Sequence, residues 1–281
     1  MEITSIEFQY PSIESINSDN NEKNNWPVVY ILDGKKEVYV GETCNIKNRL
    51  FQHLKNKSKK NIKMVSVVYD KRFNKSVTLD IEQGLIRLFD ADKKYTLLNQ
   101  NSGQSPEHNY YNRYKYKQCV PTIWKELQNK NLANTSYDEL TNSIFFKYSP
   151  YTSLNPEQRS IESTILSEIT EELSKDAKVQ RSSGMNFVIE GGAGTGKTIM
   201  ALCILNLLQK IKNGDFGEDE LDFGTAGIGS EFSSAKDLFL KKDLKIGFVV
   251  PMTSLRETIK KVANKAGLKG TIIGPFDAAR E

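Results

Sequence analysis

The segment from Val28 to His53 leaves the chain little conformational choice. Val28-Val29-Tyr30-Ile31-Leu32 is a run of β-branched, aromatic and aliphatic residues, the composition of a strand. Asp33-Gly34 follows as a turn signal, and Val38-Tyr39-Val40-Gly41 reads as the returning strand of a hairpin. Gly41 has the backbone freedom that a sharp exit needs. Beyond it Ile46, Leu50 and Leu54 recur every four residues, which is helical spacing. Arg49 and His53 share that spacing and stack on one helix face beside the apolar stripe. A tyrosine therefore stands on each strand, with an arginine and a histidine one helix away.

Further along, Ile62 to Tyr69 is expected as a third strand and Leu79 to Asp90 as a second amphipathic helix. Glu82 falls three or four positions from Leu79, Leu85 and Ile86 and seven from Phe89, on the apolar face of that helix. A carboxylate placed there is costly unless a cation pairs with it. Leu97-Leu98-Asn99 then leads into a polar loop that reaches about Asn109, and His108 reads as a surface residue.

The order strand, strand, helix, strand, helix, carrying these side chains, resembles the GIY-YIG endonuclease module from about Val28 to Gly103. The first signature is Val28-Val29-Tyr30, with two valines in place of the usual Gly and Ile, and the second is Tyr39-Val40-Gly41. The resemblance implies a small mixed-sheet α/β nuclease that uses Mg²⁺ (or Mn²⁺) to cut nucleic acid, DNA first among candidates. It assigns Glu82 to the metal and Arg49 to the phosphate. Tyr30 becomes the general base or a relay to it, Tyr39 and His53 orient water and phosphate, and Asn99 braces the site. A phenol with a reference pKa of about 10 costs about 4 kcal/mol to ionise near neutrality. Bound Mg²⁺ and Arg49 would reduce that cost, whereas His53, with a reference pKa of about 6.5, is the cheaper base. The residues leave both assignments open.

With 281 residues the chain can build two cores, and its 38% hydrophobic and 26% charged content is that of an ordinary water-soluble protein. A net charge of +4 points to no partner by itself. Its distribution does: between Lys35 and Lys75 about a dozen Lys/Arg face three Asp/Glu, an excess that attracts polyanions. Within it, Lys55-Asn56-Lys57-Ser58-Lys59-Lys60 reads as a solvated loop that helps steer DNA. Tyr110 to Lys117 alternates aromatic and basic residues, fit either to stack bases and bind phosphates or to form an amphipathic strand with its tyrosines inward. Thr122 to Gln128 reads as a short helix.

Cys44, Cys119 and Cys203 are scattered without metal-ligand spacing, which points to a reducing compartment and no structural zinc. The N-terminus lacks a basic-then-apolar signal pattern, and the longest apolar run, Ile199 to Leu208, is about half of what spans a bilayer. A cytoplasmic protein with no membrane partner is expected. Its organisation reads as a flexible leader (1–25, with the polar tract Asn17 to Asn25), a nuclease domain (26–109), a connector (110–152) and a second domain (153–281).

The second domain is announced by Gly191-Gly192-Ala193-Gly194-Thr195-Gly196-Lys197-Thr198, which fits G-x-x-x-x-G-K-[ST]. Such a loop turns backbone N–H groups inward around phosphates at a helix N-terminus; Lys197 would reach the outer phosphates and Thr198 would hold the Mg²⁺ of bound ATP. Met185 to Glu190 is expected as the buried strand before it, and a helix to about Lys212 after it. Upstream, Leu154-Asn155-Pro156-Glu157-Gln158 supplies a cap, a first-turn proline and a helix whose Ile161, Ile165, Ile169 and Leu173 form a stripe. Gly214 to Gly229 reads as an insertion loop. Downstream come a strand over Ile246 to Val250, a helix capped by Thr253, and a strand at Thr271-Ile272-Ile273.

Leu154 to Gln158 resembles the glutamine motif of superfamily-one helicases, which implies that Gln158 contacts adenine. Val249 to Arg256 resembles their next motif, which touches single-stranded nucleic acid. This half is similar to the Schlafen-like bacterial helicases from about Leu154 onward, and that likeness implies a RecA-like parallel sheet. The acidic cluster Glu218-Asp219-Glu220 follows no apolar strand, so the carboxylate needed for ATP hydrolysis is missing. The chain thus reads as the opening portion of such a domain, to be completed by a protein partner. Together the halves describe a metal-dependent endonuclease coupled to an ATP-binding helicase-like part, in restriction of or defence against foreign DNA. Two alternatives are an ATP-binding switch or motor whose nuclease half only holds DNA, and a non-enzymatic assembly component.

Overall fold

A computed structural model describes residues 1–16, 25–99, 109–175, 186–213, 246–268 and 270–280. They divide into two compact units, Met1–Ser153 and Leu154–Glu281.

In the first unit the chain runs through β1 (Glu2–Glu7), α1 (Tyr10–Glu14), β2 (Val28–Gly34), β3 (Glu37–Thr43), α2 (Ile46–Lys55), β4 (Ile62–Tyr69), α3 (Lys75–Asp92) and β5 (Thr96–Leu97). The strands form one mixed sheet in the order β1-β4-β2-β3-β5, antiparallel throughout except for β3 and β5. Central β2 is apolar on both faces because both are covered. Val29 and Ile31 pack with Ile81, Leu85 and Phe89 of α3, while Val28, Tyr30 and Leu32 pack with Ile46 and Leu50 of α2. Asn45 caps α2 by accepting from the Asn48 N–H, and Asn74 caps α3 by accepting from Val77.

Several expectations change. The hairpin turn is Lys35-Lys36 rather than Asp33-Gly34, since Asp33 pairs with Val38 and β2 runs through Gly34. Gly34 is needed for another reason: a Cβ there would lie 2.4 Å from the Asn61 carbonyl oxygen. The expected leader contributes structure as well. Glu2–Glu7 pairs along β4 from Tyr69 to Met64, and Ile13 of α1 is fully buried. Of the polar tract, residues 17–24 lie outside the described residues, as does His108.

The segment read as a connector is part of the first core. It folds into α4 (Arg113–Lys117), α5 (Cys119–Asn129), α6 (Tyr137–Asn142) and α7 (Ile144–Lys147). Ile123, Trp124 and Leu127 of α5 are fully buried in the cluster that holds Phe89, whose ring meets Trp124 edge-on at 5.0 Å. Arg87 of α3 donates twice to the Phe146 carbonyl, at 3.1 and 2.9 Å. These helices cover α3 on the side away from the sheet. The aromatic-basic segment is accordingly no strand: Tyr110 and Arg113 both bind Asp80, Tyr116 packs inward, and Tyr111 and Tyr114 are exposed.

The second unit contains α8 (Pro156–Ser174), α9 (Lys197–Asn213), β6 (Phe248–Val249), α10 (Thr253–Lys265), β7 (Ile272–Ile273) and α11 (Pro275–Ala278). Asn155 and Gln158 close a capping box at the start of α8, and Leu166 of α8 packs with Ile211 of α9. Strands β6 and β7 are parallel and joined through α10; Thr253 is the first helical residue there, with Met252 at the cap. The expected buried strand before the glycine-rich loop does not form over 186–190, where Val188 is 82% exposed. No described strand flanks it to take up its N–H and C=O groups. Among the described residues the parallel sheet therefore has two strands. Met185, Gly214 to Gly229 and the acidic cluster lie outside them. No helix among the described residues is long and apolar enough to cross a membrane.

Asp33 on β2 offers a test of the first core. It is buried, its Oδ1 has no hydrogen-bond partner among the described residues, and burial pushes its pKa up to about 6. Folding therefore favours the protonated acid, so ionisation costs stability as pH rises from about 4 to about 6. Asp33→Asn is expected to stabilise the chain by about 1–2 kcal/mol at pH 7. Thermal unfolding followed across pH should show that gain vanish near pH 4.

Candidate active site

Four side chains expected to act together do meet. Tyr30 comes from β2 and Tyr39 from β3, while Arg49 and His53 lie one turn apart on α2. The Tyr30 hydroxyl is 2.7 Å from His53 Nε2, and Arg49 Nε donates to the same oxygen at 3.3 Å. Arg49 also hydrogen-bonds the Tyr39 side chain and donates through Nη1 to Gln52 at 3.0 Å. The Tyr39 and His53 rings meet edge-on at 5.1 Å, and Tyr30 and His53 are fully buried.

Gly41 makes this packing possible. In the hairpin register it stands directly opposite Tyr30, and a Cβ there would come within 2.3 Å of the Tyr30 hydroxyl and 2.4 Å of its Cζ. Its role is to let the phenol lie across β3, not to release the backbone into a sharp exit.

Residues 27–96 match the family model described as the GIY-YIG catalytic domain. This stretch is a GIY-YIG catalytic domain. No curated protein and no solved structure matches the chain. The GIY-YIG domain implies a nuclease, a hydrolase of phosphodiester bonds with a nucleic-acid substrate.

In the GIY-YIG domain and just beyond it lie two more residues that the sequence singled out, Glu82 and Asn99. Glu82 on α3 is 9% exposed, and its charge reaches Tyr30. The Asn99 side chain accepts from the Val40 N–H at 2.9 Å and donates to the Val40 carbonyl at 2.7 Å, pinning β3.

Two further residues were missed. Glu42, next after Gly41, pairs with Lys75 and accepts from Thr78 Oγ1 at 3.2 Å, one turn before Glu82. Lys59 was read within a solvated basic loop, yet it is buried, with Nζ 2.7 Å from His53 Nδ1 and 4.1 Å from the centre of the Tyr39 ring. The one sequence cue is Asn56, whose side chain caps the single 3-10 turn Lys57–Lys59 and folds it back.

The electrostatics separate the groups. Burial pushes the Tyr30 phenol far above its usual range; Arg49 pulls it back, and Glu82 and Glu42 push it further up. Burial opposes charge on Arg49, but the two phenols outweigh it and hold the guanidinium firmly protonated. The site thus presents a fixed cation beside a neutral phenol.

In the second unit Gly191, Gly192, Ala193, Gly194, Thr195, Gly196, Lys197 and Thr198 form a turn leading into α9, of which Lys197 and Thr198 are the first two residues. Gly194 and Gly196 take φ of 77° and 83°. Lys197 Nζ donates to the carbonyls of Gly191 and Gly192 at 2.6 and 2.7 Å. Gln158 Nε2 donates to the Thr195 carbonyl at 2.9 Å while its Oε1 accepts from the Asn155 N–H at 3.0 Å. Each end of that carboxamide thus makes one bond, to the loop and to the cap, which ties Gln158 to the glycine-rich turn.

Gly41→Ala is expected to cost about 2 kcal/mol or more by forcing the Tyr30 ring aside. In a double-mutant cycle with Tyr30→Ala, denaturant unfolding should give a coupling of about 1–3 kcal/mol, with the alanine at position 30 relieving the clash. A coupling of zero would contradict the close approach.

Proposed function

We propose that the first unit is a divalent-cation-dependent endonuclease that cuts DNA, and that the second binds ATP and controls the cut. The observation that carries the nuclease reading is the convergence of Arg49 Nε and His53 Nε2 on the single Tyr30 oxygen, within the field of Glu82. Arg49 is a cation at neutral pH, suited to hold a phosphate and the charge that builds on it during displacement. In this reading Tyr30, once ionised with the help of Arg49 and a bound cation, takes the proton of the attacking water.

Among the described residues no three His, Cys, Asp or Glu gather. The donor set nonetheless fits a hard cation held by one carboxylate, that of Glu82, with solvent and substrate oxygens completing an octahedron. Bound there, a Mg²⁺ or Mn²⁺ ion supplies positive charge that offsets the negative field on Tyr30 and polarises the phosphate. The local excess of Lys/Arg from Lys35 to Lys75 suits a polyanionic substrate.

For the second unit, the positive φ of Gly194 and Gly196 and the seat of Lys197 on two loop carbonyls support a phosphate-binding loop. Mg²⁺-ATP would place its metal at Thr198. A helicase-like role, a protein partner that completes it and a setting in restriction of foreign DNA accord with this pairing of parts.

One observation favours a competing reading, in which the nuclease half holds DNA without cutting it. Burial and two carboxylates keep the Tyr30 phenol protonated. Nicking of supercoiled plasmid with Mg²⁺ or Mn²⁺ decides. Cutting that chelation stops, and that falls about 100-fold or more in Arg49→Ala and Glu82→Ala, is expected; an inert parent chain supports the holding role. In a separate measurement, ATP should bind the parent and not Lys197→Ala, with slow turnover. Brisk DNA-stimulated hydrolysis by the parent would contradict an incomplete motor.

A further inference from the structure

We infer that Lys59 is a positioning residue: it fixes the tautomer of His53 and so makes the Tyr30 oxygen a double hydrogen-bond acceptor. The consequence for cleavage rests on the nuclease reading above; the hydrogen-bond assignment does not.

Lys55, Lys57 and Lys60 are exposed, whereas Lys59 is 5% exposed. A lysine in that position must find partners for its N–H groups. It has the face of Tyr39 at 4.1 Å, which favours the charged ammonium, and His53 Nδ1 at 2.7 Å. An ammonium has three donors and no lone pair, so the hydrogen of this contact comes from Lys59 and Nδ1 bears none. A neutral imidazole then carries its one hydrogen on Nε2, pointing at the Tyr30 oxygen 2.7 Å away. Arg49 Nε can only donate, and it meets the same oxygen at 3.3 Å.

Tyr30 thus accepts from both neighbours and gives its own hydrogen to neither. Two donors aimed at one phenol oxygen remain satisfied whether or not the phenol is ionised. Without Lys59 the imidazole is free to hold its hydrogen on Nδ1. Nε2 then accepts the Tyr30 O–H, and that bond holds the phenol in its protonated form. Under the nuclease reading, the arrangement assigns the base to Tyr30 and makes His53 a donor that orients it.

The chain has two histidines, so a ¹⁵N-labelled His108→Gln chain leaves His53 as the single imidazole. Long-range ¹H–¹⁵N correlation at mildly alkaline pH then reads which ring nitrogen is protonated. The expected result is a hydrogen on Nε2 with Nδ1 bare, reversed in Lys59→Met. A hydrogen on Nδ1 in the parent, or a doubly protonated ring, overturns the proposal whether or not Lys59→Met folds. An unchanged tautomer in a folded Lys59→Met overturns it as well. In plasmid cleavage Lys59→Met is expected to lower kcat at least tenfold with KM within twofold. A reversed tautomer with unchanged kcat removes Lys59 from the reaction. The expected tautomer in a parent that cuts no DNA overturns the nuclease reading while leaving the assignment standing.

Discussion

The Tyr30 phenol occupies the space beside the Gly41 backbone, in the middle of a sheet that is covered on both sides. That packing fixes a phenol oxygen where α2 brings a guanidinium donor and an imidazole nitrogen to it. The hairpin register that opposes Tyr30 to Gly41 is in turn held by the apolar residues of β2, buried against α2 on one face and α3 on the other. A slip of one residue would turn every β2 side chain to the opposite face. Site geometry and core packing are therefore one constraint, met by the same strands.

What could be read from sequence was what local periodicity encodes. The hairpin, α2, β4 and α3 follow from β-branched runs and four-residue spacing, and their asparagine caps sit where the helices begin. The meeting of Tyr30, Arg49 and His53 was legible because it needs only one hairpin and the helix after it. What was lost depends on distant contacts. Gly34 looks like a turn glycine, yet it answers to the Asn61 carbonyl. Lys59 looks solvated among its neighbours, and only tertiary structure turns it under Tyr39. The first strand is six residues long and has no pattern of its own, so its place follows from the β4 edge it covers.

The second unit shows the opposite balance. Its glycine-rich motif is explicit, and the loop takes the left-handed turns that only glycine accepts freely. The strand expected before it relies on neighbours that the described residues do not provide, so apolar composition alone did not make a sheet. Gln158 links two local features: its carboxamide closes a helix cap and reaches the glycine-rich loop.

The way β1 joins the sheet has a consequence for handling the protein. Its six residues form the edge of the sheet beside β4. Trimming or displacing them in an expression tag design would leave β4 with a bare row of amides and carbonyls. Such an edge recruits extended segments from other molecules, and self-association would follow from the loss of this one strand.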